Sequence, residues 1–246
     1  MLRLFHVSLN GINGGGGGIS TSVKQSLKSF TTKVTYDNEY DEFMITRFDH
    51  VKPPFNVINF YGRIKKRKAG KPENVLRSWN KILKEVSIIE TRSEAVLLCG
   101  DWNRGVGSGQ NGVVGNKSEV YYGGRLVGEL IASGNYHMFL NTSKTEGGPW
   151  TRVCPWTGDP SCLDIPIGST NLFPFLRRVL VDSDRKYTPR RSVTKKGKLT
   201  FTFTDHYPVV VNLEMPIAAQ GMDPQAELKW NTSKPGGWEA FMEEGE

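Results

Sequence analysis

The chain is poor in cysteine and histidine, has no long apolar run, and begins without acidic residues. Cys99, Cys154 and Cys162 are too few, and odd in number, for a disulfide framework. No Cys/His spacing suggests a zinc site. A reducing compartment is therefore the expectation. No stretch approaches the roughly eighteen apolar residues of a membrane-spanning helix, and Met1 to Gly18 lacks the charged start and apolar centre of a secretory signal. No membrane partner is expected. No internal repeat is present, and no Asp or Glu precedes Asp37.

What is present is basic charge and enough length for a sizeable core. A chain of 246 residues with a formal charge of +7 suits one α/β or β-rich sandwich domain with an anionic partner. Thirteen of the 32 Lys and Arg residues are concentrated in two stretches that read as loops by composition. The first holds Arg63, Lys65, Lys66, Arg67, Lys68 and Lys71; the second holds Arg185, Lys186, Arg190, Arg191, Lys195, Lys196 and Lys198. Alone, such clusters are as readily solvated loops as contacts to phosphate.

Four segments carry chemistry. Thr204-Asp205-His206-Tyr207-Pro208 precedes the apolar Val209 to Val211, placing a carboxylate that can hold a hard cation beside an imidazole that titrates near neutrality. By itself this dipeptide is more often turn chemistry. Glu94 to Asn103 is an apolar run that stops at Gly100 and offers Asp101 and Asn103, two residues apart and so on one face of an extended segment. Ser161 to Ser169 places Asp164 among apolar neighbours expected to form an inner strand, where an unpaired carboxylate is costly. Tyr61 ends the apolar run Phe55 to Tyr61.

In this order the segments resemble the endonuclease/exonuclease/phosphatase superfamily, and more narrowly the endonuclease domain of non-LTR retrotransposon polyproteins. Gly123 to Leu130, Asn141 to Arg152, Asp182 to Pro189 and Asn231 to Glu239 support the narrower likeness. The resemblance implies an α/β fold of DNase I-like type, a two-sheet β-sandwich flanked by helices. It also implies Mg²⁺- or Mn²⁺-dependent phosphodiester hydrolysis on DNA in an intracellular, nuclear setting. The implied roles are as follows. Asp101 activates or orients the water, with Asn103 steadying water or phosphate. Asp164 orients His206 against the scissile phosphate. Asp205 sits at the metal, and Tyr61 bonds a phosphate oxygen. Thr151 and Ser161 are weaker candidates for phosphate contact. Lys65, Lys66, Arg67, Lys68, Arg190, Arg191, Lys195 and Lys196 are candidates for the DNA backbone. Sequence leaves open whether Asp101 or His206 is the base.

The chain departs from the family pattern at its start, where an early Asn and then a metal-binding Glu are expected. Asn10 or Asn13 can imitate the Asn by position, but nothing can imitate the Glu. The expectation is an N-terminal truncation, with first strands missing or replaced and activity impaired. The alternatives are a DNA-binding relic without turnover and a phosphatase of the same superfamily.

Residues 1–13 carry no signal, 14–215 form the expected domain, and 216–246 read as a tail that leads to a reverse transcriptase in the resembled polyproteins. Gly14 to Gly18 suits a flexible linker and the lead-in to a strand at Ile19 to Val23 equally. Strands are expected at Glu42 to Phe48 and Phe55 to Tyr61, antiparallel about Lys52-Pro53-Pro54. Pro72 opens a helix with Val75, Leu76, Trp79, Ile82, Leu83, Val86 and Ile89 on one stripe. A strand at 95–100, a helix from Gly124 to Ser133 and strands near 176–182, 199–204 and 207–213 follow. An amphipathic turn is read at Trp238 to Met242. His6, His50 and His137 read as structural.

Overall fold

The run Ala95–Asp101 is buried along its whole length, which a strand achieves only when both faces of its sheet are covered. The computed structural model describes residues 2–5, 31–36, 43–61, 72–102, 122–154, 157–185, 191–195, 198–202 and 205–217. In chain order its elements are β1 (Leu2–Phe5), β2 (Thr31–Tyr36), β3 (Phe43–Phe48), β4 (Phe55–Tyr61), α1 (Pro72–Glu90), β5 (Ala95–Asp101) and α2 (Tyr122–Ala132). The short strands β6 (Tyr136–Met138), β7 (Thr145–Glu146), β8 (Arg152–Val153), β9 (Pro160–Ser161) and β10 (Ile167–Ser169) follow. The last elements are β11 (Leu176–Val181), β12 (Arg191–Lys195), β13 (Lys198–Thr202) and β14 (Val209–Leu213).

Six strands form one sheet in the order β2-β3-β4-β5-β10-β6, and four form a second in the order β1-β14-β11-β7. β3 and β4 pair antiparallel, as the turn between them requires. β4 and β5 pair in parallel with α1 between them in the chain, a connection that needs a crossover of helix length. One face of α1 buries Trp79, Ile82, Val86 and Ile89, the stripe that the 3.6-residue period predicts. Along β14 every second residue is buried, Val209, Val211 and Leu213, so that strand turns one face to the core. These residues and Leu176, Val179 and Val181 of β11 share one hydrophobic cluster with Ile58, Leu97 and Leu98 of the six-stranded sheet.

Three features differ from, or extend, the sequence reading. Residues 2–5, in the stretch without sequence signal, form an edge strand antiparallel to β14, with Leu4 opposite Val211. The second basic stretch is not simply a loop: β12 and β13 form a hairpin with Arg191 opposite Thr202 and Lys195 opposite Lys198. β13 matches the strand expected near 199–204, while counting charges hid the strand-forming Val193 and Thr194 of β12. Asp164 is held by a single bridge to Asp101 rather than within a strand, because Pro166 has no N–H for a central ladder and β10 starts only at Ile167. The glycine run, the first basic stretch, Asn103, Lys186, Arg190, Lys196 and the tail beyond residue 217 lie outside the described residues.

β5 carries a carboxylate at each end, and the two ends differ in kind. Glu94, just ahead of the strand, accepts from Arg47 Nη2 at 2.7 Å and from Asn56 Nδ2 at 2.8 Å. Its charge is thus neutralised within the scaffold, as a buried carboxylate requires. At the other end Gly100 has φ +156°, and a Cβ there would lie 2.0 Å from the Phe60 carbonyl oxygen. Only glycine lets β5 run this close to β4 and still deliver Asp101. Gly100→Ala is expected to lower the unfolding free energy by more than about 2 kcal/mol, read as a shift in the urea midpoint. An unchanged midpoint would show that β4 yields at no cost.

Candidate active site

The register of the six-stranded sheet brings the first candidates together. Tyr61, the last residue of β4, is the parallel register partner of Asp101 at the end of β5. Asp101 in turn bridges Asp164 antiparallel. Two side chains of one charge sign therefore lie side by side, with Asp101 only 2% and Asp164 only 5% exposed.

Trp102 fixes this pairing. Its backbone N–H donates to the Leu163 carbonyl at 2.9 Å, and its indole N–H donates to the Ile165 carbonyl at 2.7 Å. These bonds clasp the Asp164 segment from both sides. The indole packs edge-on against Phe60 and Trp79, with ring centroids 4.4 and 5.0 Å away. The clasp is thus anchored in the core.

Thr151 joins that segment to the one bearing His206. Its hydroxyl accepts from the backbone N–H groups of Leu163 and Asp164, at 2.9 and 3.0 Å. Its carbonyl accepts from Tyr207 N–H at 2.6 Å. Thr151 is 0% exposed, and the bonds of its hydroxyl and carbonyl tie the Asp164 segment to the His206 segment. Arg152 then lies opposite His206 in an antiparallel bridge, flanked by the Thr151 bond and by Val153 N–H donating to the Asp205 carbonyl at 3.0 Å.

The product of these constraints is a carboxylate–imidazole–carboxylate row. His206 Nδ1 donates to Asp164 Oδ2 at 2.8 Å, while Nε2 faces Asp101 Oδ2 at 4.0 Å. A carboxylate acceptor at Nδ1 places the proton there. Burial by itself disfavours the imidazolium. The hydrogen bond and charge of Asp164, with the charges of Asp101 and Asp205, outweigh it and raise the pKa above that of an ordinary imidazole. Cys162, beside this row, is pushed up to about 12 by burial, with the Asp164 charge adding to it. It stays a thiol and is no nucleophile.

The ligand atoms of Asp101, Asp164 and His206 lie within 4.8 Å of one another. Their chemistry suits a hard divalent cation, since carboxylate oxygens of Asp101 and Asp164 match the one or two carboxylates by which Mg²⁺ is usually held. Nδ1 of His206 is already committed to Asp164. Asp205, read from sequence as the metal residue, lies outside this group and ties Oδ2 to Arg152 Nε at 2.7 Å. Ser161 stands opposite Arg152 across the β8–β9 ribbon, and its Oγ is buried without a hydrogen-bond partner. Arg191 and Lys195 lie on β12. Sequence reasoning missed Trp102 and Arg152. Both sit inside quoted motifs, next to Asp101 and Thr151, and adjacency was their only signal.

No family model and no curated protein sequence matches the chain. Solved structures do. A 3′-5′ exonuclease (NExo) from Neisseria meningitidis matches with a TM-score of 0.55 and 14% identity over 75% of this chain and 72% of its own. A Neisseria 3′ phosphatase NExo bound to a product DNA hairpin matches with a TM-score of 0.55 and 15% identity, covering 75% and 71%. An AP endonuclease from Archaeoglobus fulgidus matches with a TM-score of 0.50 and 15% identity, again covering 75% and 71%. At such identities the likeness establishes the fold. The chain is an α/β sandwich of the DNase I-like type.

The raised pKa of His206 has a testable sign. Its folded-state value lies above the unfolded value of ~6.5, so the stabilisation from the pair is complete below that pH and is lost as pH rises through the folded value. Nuclear magnetic resonance titration of the imidazole should place the wild-type midpoint above ~6.5. In Asp164→Asn burial should prevail and carry the midpoint below it. A midpoint unmoved by that substitution would contradict the assigned cause.

Proposed function

We propose that this chain hydrolyses phosphodiesters in DNA with the help of a divalent cation, Mg²⁺ or Mn²⁺. The observation that carries the proposal is the His206 geometry, with Nδ1 fixed by Asp164 and Nε2 turned toward Asp101. An imidazole held protonated suits a donor to a phosphate oxygen better than a base. Asp101, buried beside it, is the group suited to take the proton of the attacking water. As that proton moves to Asp101, the water oxygen bonds to phosphorus and the bond to the leaving oxygen breaks. His206 Nε2–H offsets the negative charge gathering on the phosphate. Tyr61, at the strand end beside Asp101, can donate its hydroxyl to another phosphate oxygen. A cation held by Asp101 and Asp164 would neutralise phosphate charge and make its bound water more acidic.

Support for DNA as substrate comes from the net charge of +7 and from the structural neighbours, an exonuclease, a DNA-bound 3′ phosphatase and an AP endonuclease. Lys65, Lys66, Arg67, Lys68, Arg190, Arg191, Lys195 and Lys196 are the proposed backbone contacts. The ordered motif series supports an origin in a retrotransposon endonuclease. A second reading, DNA binding without turnover, is favoured by the commitment of Asp205 to Arg152. The two readings part in one assay. Nicking of supercoiled DNA is expected to need Mg²⁺ or Mn²⁺, to be slow, and to fall at least ~10²-fold in His206→Ala with DNA binding kept. Salt-sensitive binding with no nicking would favour the second reading, and nicking in the presence of a chelator would contradict the first.

A further inference from the structure

Arg152 is not fully used by its ion pair. Its Nε–H donates to Asp205 Oδ2 at 2.7 Å, and the Nη groups have no hydrogen-bond partner among the described residues. The side chain is 27% exposed, so the remaining donors lie at the rim of the site. Residues opposite each other in an antiparallel pair present their side chains on one face, closest where the flanking bonds enclose the pair. Arg152 stands in that relation to His206, and on its other side it is opposite Ser161. Ser161 contributes a buried hydroxyl that likewise has no partner. Unused donors on Ser161 and Arg152 thus lie beside the imidazole.

The charge balance adds a reason for these donors. Asp101, Asp164 and Asp205 all act on His206, and a polyanion approaching three carboxylates needs compensating charge at close range. A guanidinium supplies it in a planar donor fork that matches two phosphate oxygens. Its fixing by Asp205 removes rotamer freedom that binding would otherwise have to freeze. We propose that Arg152 is a phosphate-binding residue, holding through its Nη groups a backbone phosphate of the bound strand next to the one that faces His206. This rests on the reading of the chain as a DNA-directed phosphodiesterase. It also gives Asp205 the task of aiming Arg152 rather than holding the cation.

The test is the salt dependence of duplex DNA binding by the full chain, followed by fluorescence anisotropy over a series of KCl concentrations. Arg152→Gln is expected to lower the log–log slope by about 0.9, the share of one phosphate contact. Arg177→Gln is the charge-matched control. Arg177 pairs with Glu214 at the end of β11 remote from His206 and should leave the slope unchanged. A wild-type slope in Arg152→Gln would overturn the proposal while leaving the DNA reading intact. A wild-type chain without salt-dependent binding would sink that reading and the proposal with it. Should Arg152→Gln fail to fold, phenylglyoxal modification of the wild-type chain decides. Bound duplex should shield Arg152 and leave Arg177 reactive, and equal modification of Arg152 with and without DNA would overturn the assignment.

Discussion

Two carboxylates buried side by side are the constraint on which the rest of this structure depends. Asp101 and Asp164 face each other across an antiparallel bridge with almost no exposure, where charge is costly unless it is paired. The imidazole of His206 meets part of that demand through its 2.8 Å bond to Asp164. Two carboxylates grouped with one imidazole make an arrangement that suits a divalent cation. Glu94 shows the contrast: at the opposite end of β5 its charge is answered by Arg47 and Asn56, and that end is purely structural.

Holding like charges together requires a stiff support, and each part of it comes from a different element. Gly100 brings β5 against β4 where a side chain would collide with the Phe60 carbonyl. Trp102 clasps the Asp164 segment while its ring is locked against Phe60 and Trp79. Thr151 bonds the Asp164 segment with its hydroxyl and the His206 segment with its carbonyl. The geometry of the candidate site is therefore a property of backbone pairing, and its side chains inherit their placement from it.

Much of this was legible in the sequence. The period of α1, the apolar runs of β4 and β5 and the alternation of β14 identify themselves, because burial imposes a pattern on consecutive residues. Asp101, Asp205 and His206 stood out as candidates because each adjoins the end of such a run, and Asp164 because it interrupts one. Thr151 was legible as a candidate, but its bonds to backbone twelve and thirteen residues away leave no mark on spacing. Asp205 was read as the metal residue because it adjoins His206 in the chain, and nothing in that adjacency showed its ion pair. Arg152, remote in sequence, claims that carboxylate. β12, the partner of the strand expected near 199–204, was obscured by the lysines and arginines around it.

The central claim is that the Asp101–Asp164 pair forms a cation site balanced by His206. It is tested most directly by thermal unfolding of the full chain against Mg²⁺ or Mn²⁺ concentration. A ligand bound only by the folded state raises the midpoint by mass action. The account predicts a midpoint that climbs with cation concentration in the wild type and stays flat in Asp101→Asn. An identical climb in both proteins, or none in the wild type, would contradict it.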